Sequence, residues 1–188
     1  MSADLVVLVG NPRPGSRTRT LAELVARELA GVLEGLGDVS VLELAEIVGV
    51  SFGSEPARGG WPAGDAFAEV RAARVLVVAT PTYKGTYTGL LKVFLDQYGA
   101  GALAGTVAVP VAVAAAPRHR RSVAAALTDL LSELGAAVPA PAVALLEADL
   151  AEARSLVSAW VAEHRGTLGR ALCDARAAVA ATSLTESA

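Results

Sequence analysis

The segment Gly10-Asn11-Pro12-Arg13-Pro14-Gly15-Ser16-Arg17-Thr18-Arg19-Thr20 holds hydroxyls, one side-chain amide and three guanidinium groups, and no acid. It follows the apolar run Leu5 to Val9 and precedes apolar residues at helical spacing. It therefore reads as a strand-to-helix loop. Free N–H groups and the helix dipole favour an anion at such a helix N-terminus. Asn11, Ser16 and Thr18 offer donors to phosphate oxygens, and Arg13 adds a planar, charge-assisted donor with Arg17 close by. The pattern G-x-x-x-x-G-K-[ST] is absent, which argues against a P-loop nucleotide hydrolase. The pattern G-x-G-x-x-G is absent too, which argues against a pyrophosphate laid across the first turn. The residues suit a terminal phosphate monoester, a group that FMN carries. A solvated basic loop that only caps a helix is the alternative.

A second loop, Thr80-Pro81-Thr82-Tyr83-Lys84-Gly85-Thr86-Tyr87-Thr88-Gly89, follows another apolar run. Pro81 removes a backbone donor and fixes φ. Gly85 and Gly89 allow backbone to approach a flat ligand, and Tyr83 and Tyr87 present amphipathic faces. This suits one wall of an isoalloxazine ring; two tyrosines that only pack a loop are the plainer reading. A third loop, Ala114-Ala115-Ala116-Pro117, leads to Arg118-His119-Arg120-Arg121. Its small residues leave room, and its cations suit a nicotinamide dinucleotide or, equally, a solvated helix start. Arg17, Arg118, Arg120 and Arg121 are the candidates for a 2′-phosphate. His119 is a weaker candidate for a proton donor.

These loops need a scaffold that brings them together. Leu5 to Val9 is apolar throughout, and Arg74 to Thr80 and Thr106 to Ala114 are apolar but for residues at their ends, as strands buried on both faces are. Val39 to Leu44 reads as a half-buried strand, and a fifth strand falls within Ala142 to Glu147. Between them, helical spacing marks Leu21 to Leu36, with Ser16 or Thr18 as cap and Gly35 or Gly37 as stop. Further helices are expected over Phe67 to Ala72, Thr88 to Tyr98 and Val123 to Leu134. A last one carries Leu150, Leu156, Val157, Trp160 and Val161 after an Asp149 cap. Val48 to Gly64, rich in glycine, reads as a long surface loop beside the site. Strand and helix alternate, which predicts an α/β sandwich of three layers on a parallel sheet. Right-handed crossovers leave few topologies, among them the order 2-1-3-4-5. In that order a ligand lies beyond the carboxyl ends of strands 1, 3 and 4, where the three loops begin.

The bulk numbers bound the rest. A chain of 188 residues suits one domain, here residues 1–181 with a polar tail at 182–188 expected to fray. Apolar residues make up 53% and charged residues 19%, which argues against disorder. The net charge of −3 gives no footprint for nucleic acid. Cys173 is the only cysteine, so neither an intrachain disulfide nor a cysteine zinc cluster is expected. With His119 and His164 far apart, a metal site has little to work with. No secretory leader and no membrane span are read from the sequence, and a cytoplasmic protein is expected.

The chain resembles the NAD(P)H-dependent FMN reductases, and among them the branch that supplies reduced flavin to sulfonate monooxygenases. That family carries a phosphate loop G-S-x-R-x-x-S-x-[ST/N], matched by Gly10, Arg13, Ser16 and Thr18. It also carries T-P-x-Y-K-x-x-[YS]-[ST]-G-x-L-K-x-x-L-D. Thr80, Pro81, Tyr83, Lys84, Tyr87, Thr88, Gly89, Leu91, Lys92, Leu95 and Asp96 match that second pattern. The resemblance covers about residues 4–147. Asn11 stands where the family has Ser, and Ala114-Ala115-Ala116-Pro117 stands where it has a Thr/Ser-Gly-Gly segment. The second departure weakens the carry-over of flavin-edge contacts to this loop.

The resemblance implies a flavodoxin-like fold with a five-stranded parallel sheet, FMN, and NADPH or NADH as hydride donor. It implies hydride transfer from the nicotinamide to flavin N5, with no catalytic side chain required. The cofactor contacts it implies, together with the residue chemistry, are Asn11, Arg13, Ser16, Arg17, Thr18, Pro81, Thr82, Tyr83, Lys84, Tyr87, Ala115, Ala116 and His119. It implies a homodimer or dimer of dimers through the helix after Thr88, whose apolar face is wide, and a flavin-dependent monooxygenase as recipient. A reductase that retains FMN and reduces quinones or azo dyes, and a flavodoxin-type electron carrier, remain as alternatives.

Overall fold

The computed structural model describes residues 3–47 and 63–185. Its centre is a parallel sheet of five strands in the order β2-β1-β3-β4-β5, the order 2-1-3-4-5 expected from the sequence. The strands are β1 (Leu5–Val9), β2 (Val39–Glu43), β3 (Val75–Pro81), β4 (Val107–Ala114) and β5 (Val143–Leu146). The apolar runs are buried because both sheet faces are covered. Leu5, Val7 and Val9 of β1 pack on one side with α1 (Arg17–Ala30) and α6 (Ala153–Thr185). Val6 and Leu8 pack on the other with α2 (Leu44–Ile47), α3 (Ala63–Ala72), α4 (Gly89–Leu95) and α5 (Pro117–Glu133). Alternation along each strand thus splits one apolar run between two cores, giving a three-layer α/β sandwich. Among the described residues no helix is long and apolar enough to cross a membrane.

Several boundaries differ from the sequence expectation, each for a local reason. Ser16, rather than Thr18, caps α1, its side chain accepting from the Arg19 N–H. The helix stops at Ala30 instead of reaching Gly35; Gly31 closes it in ordinary helical conformation, with its N–H bonded to the Arg27 and Leu29 carbonyls. Leu33 still packs into the core from the following turn, so the apolar spacing outlasts the helix. α4 ends at Leu95 rather than Tyr98, with Asp96 as its C-cap. Asp149 lies inside a 3₁₀ turn, Glu147–Glu152, rather than capping the last helix. That helix runs to Thr185, into the segment expected to fray. The expected surface loop at 48–64 lies outside the described residues except for Ala63 and Gly64, which open α3.

Register carries three loops to one edge. Val9 pairs with Ala79, Ala79 with Val111, and Pro81 with Val113. The carboxyl ends of β1, β3 and β4 therefore lie side by side. The first is drawn tight against α4: a Cβ on Gly10 would stand 2.6 Å from Leu91 Cβ. Leu91 is fully buried and its Cβ is fixed to the helix backbone, so neither side can yield cheaply. Gly10→Ala is expected to lower the unfolding free energy by about 1–3 kcal/mol, the usual cost of overpacking. Urea denaturation checks this; an unchanged midpoint and slope would contradict the tight approach.

Candidate active site

The first loop is shaped from within. The Asn11 side chain is buried; its Nδ2 donates to Thr18 Oγ1 at 3.3 Å and its Oδ1 accepts from the Arg13 N–H at 2.9 Å. Asn11 thus turns the chain at Pro12 and fixes the start of α1. The first turn of α1 contains no acid. The N–H groups of Arg17 and Thr18 have no acceptor among the described residues, and neither does the Arg13 guanidinium. A helix N-terminus of this kind attracts an anion.

Two carboxylates approach this loop, one from β2 and one from the turn after β5, and the sequence reading assigned neither a role. Glu43 ends β2 opposite Val9. Its side chain is 2% exposed and pairs with Arg19 Nη1 at 2.6 Å. The same carboxylate accepts the Gly15 N–H, at 3.0 and 3.3 Å to its two oxygens. Gly15 has φ +62°, a left-handed turn that suits glycine. Hydrogen bonds to Glu23 and Glu43 raise the Arg19 guanidinium above its ordinary value, so it stays charged. The second acid, Glu147, follows β5 and pairs with Arg17 Nη2 at 3.1 Å. Both exert their effect through strand register, a long-range relation that loop spacing does not show.

The second loop is tied to the first through Thr88. Its hydroxyl donates to the Gly10 carbonyl and accepts the Leu91 N–H at 3.1 Å, capping α4. Its own N–H donates to Thr80 Oγ1 at 3.1 Å. Between them, Tyr83 and Thr86 exchange backbone hydrogen bonds around Lys84 at φ 53° and Gly85 at φ 91°. Positive φ at both central residues makes this a tight two-residue turn. Ser122 of α5 donates to the Gly85 carbonyl at 2.6 Å, pinning the turn from the far side. Thr82 is held by Val113, whose carbonyl accepts its N–H at 2.8 Å and its hydroxyl at 3.2 Å.

A cavity of about 380 Å³ opens between these loops. Asn11, Arg13, Ser16, Arg17 and Thr18 line it from the first loop, and Pro81 and Tyr83 from the second. Val113 and Glu147, not anticipated, complete part of the wall. Tyr83, one of the lining residues, is 42% exposed. Thr82, Lys84 and Tyr87 sit on the same loop but do not line it. Ala115, Ala116 and His119 lie at the start of α5, also outside the lining. His119 Nε2 accepts from Arg118 Nε at 3.1 Å at the exposed start of α5.

A parallel sheet of this order, with an anion-ready loop after β1 and a cavity beside it, is a flavodoxin-like fold. The model of the NADPH-dependent FMN reductase family matches residues 3–149. The FMN reductase (NADPH) of Escherichia coli K12 is 36% identical over 136 residues, spanning 70% of this chain and 67% of that protein. The NADH-dependent FMN reductase SfnE of Pseudomonas putida is 32% identical over 171 residues, 90% of each chain. An NADH:FMN oxidoreductase in its apo form shares the fold with TM-score 0.67 and 23% identity, over 94% of this chain and 90% of that one. The chain belongs to the NADPH-dependent FMN reductase family. It is an oxidoreductase that uses FMN and a nicotinamide donor.

Glu43 should matter for stability whatever the cavity binds. Glu43→Ala leaves the Gly15 amide without its acceptor and a charged Arg19 without its buried partner. The expected cost is about 1–3 kcal/mol in chemical denaturation. Glu43→Gln, whose carbonyl can still accept from Gly15, should recover part of it. Equal stability in all three proteins would contradict this arrangement.

Proposed function

We propose that the protein reduces FMN with NADPH or NADH in the cytoplasm and releases the reduced flavin to a flavin-dependent monooxygenase. The observation that carries this reading is the group of donors at the cavity without an acceptor among the described residues: the Arg17 and Thr18 amides and the Arg13 guanidinium. These fit a terminal phosphate. FMN held there would supply the redox chemistry itself, taking up a hydride equivalent from the nicotinamide donor.

The chain's own part is to bind and align. Asn11, Ser16 and Thr18 shape the phosphate seat, with Arg13 and Arg17 as its cations. Pro81, Thr82, Tyr83, Lys84 and Tyr87 place the second loop along the ring. The Tyr83–Thr86 turn is braced by Ser122, which supports a fixed wall rather than a mobile flap. Alignment of two rings contributes strongly to rate without any acid or base. Ala115, Ala116 and His119 border the approach of the nicotinamide. Self-association into a homodimer or dimer of dimers would use α4, where Val93 is 46% exposed beside the buried Phe94.

Arg13→Ala should weaken FMN binding by about 1.5–3 kcal/mol, the scale of one charged hydrogen bond. Riboflavin, which lacks the phosphate, should bind both proteins alike. Fluorescence titration with each flavin reads this directly. Equal FMN affinity in mutant and wild type would remove Arg13 from the phosphate seat.

A further inference from the structure

The phosphate loop carries three arginines, and two of them are already held by carboxylates. Arg19 is locked to the buried Glu43 and does not line the cavity. Arg17 is different. Its partner Glu147 lines the cavity with it, and their side chains are 66% and 46% exposed. An exposed ion pair of this kind is worth little and exchanges readily. A phosphate entering the seat would draw Arg17 away from Glu147 and would then lie near an unpaired carboxylate. Like charges so placed repel, and the open mouth screens them only in part.

We propose that Glu147 is an affinity-limiting residue: it competes with the flavin phosphate for Arg17 and keeps FMN exchangeable. The inference rests on the reading that the FMN phosphate occupies the first loop. The acid lies at the end of β5, on the opposite side of the loop from Glu43, so the two have separate effects. Glu43 fixes the shape of the loop through Gly15, whereas Glu147 pairs with Arg17 and lines the cavity. Weak retention suits a protein whose product is the reduced flavin itself.

The test is FMN and riboflavin titration by fluorescence, with FMN dissociation followed in stopped flow, for wild type and Glu147→Gln. Glu147→Gln should bind FMN about two- to fivefold more tightly and release it correspondingly more slowly, the range an exposed charge contact reaches. Riboflavin affinity should not change. The gain should shrink at high salt, and it should shrink again when Arg17→Ala is added. Unchanged or weaker FMN binding in Glu147→Gln, with wild type still preferring FMN to riboflavin, overturns the inference and leaves the phosphate seat standing. An equal gain for riboflavin overturns it too, because the effect would not run through the phosphate. A wild type that binds FMN no better than riboflavin overturns the phosphate seat and this inference with it.

Discussion

The buried hydroxyl of Thr88 bonds the Gly10 carbonyl at the end of β1 and caps α4, while its N–H is held by Thr80 at the end of β3. Two site loops and one helix thus meet at a single side chain. The junction requires a residue without a Cβ at Gly10, because Leu91 stands directly against it. From that contact outward the site follows. Gly10 sets where the phosphate loop departs, Asn11 turns it, and Ser16 starts α1. Thr80 and Thr88 set where the second loop begins and ends, and Pro81 and Tyr83 within it line the cavity.

Electrostatics around this framework comes from the sheet rather than the loop. Read alone, the first loop is basic. Parallel pairing brings Glu43 beside it from β2, and chain order brings Glu147 from beyond β5. The buried acid shapes backbone; the exposed one faces the ligand space. A loop that displays three arginines therefore offers one guanidinium without a protein partner, Arg13, among the described residues. In the proposed phosphate seat the α1 amides and Arg13 are free at the outset, and Arg17 has to leave Glu147 to join them.

The strands were legible because burial on both faces leaves no polar residue to break the run, as in Leu5-Val6-Val7-Leu8-Val9. Strand order was legible because alternation and crossover handedness prune the choices, and the motif after Thr80 agrees with them. Helix ends were less so. Leu33 keeps the apolar spacing of α1 although it lies past the helix, so periodicity alone overruns the boundary. Of the candidate site, the five residues assigned to the first loop from their chemistry line one cavity. Glu43, Val113 and Glu147 were not legible, because each is brought in by register with a strand distant in sequence. Ser122 was hidden for a similar reason: its partner is a backbone carbonyl in a turn whose shape depends on Lys84 and Gly85.

The central claim is that this cavity holds FMN so that a nicotinamide can reduce it and the flavin can leave. Anaerobic mixing of the protein with free FMN and either NADPH or NADH, followed by flavin absorbance, tests it most directly. The account predicts bleaching of the oxidised flavin band by at least one donor, over many equivalents of FMN per protein and slowed by deuterium at the transferred nicotinamide position. FMN that stays oxidised with both donors would contradict the account.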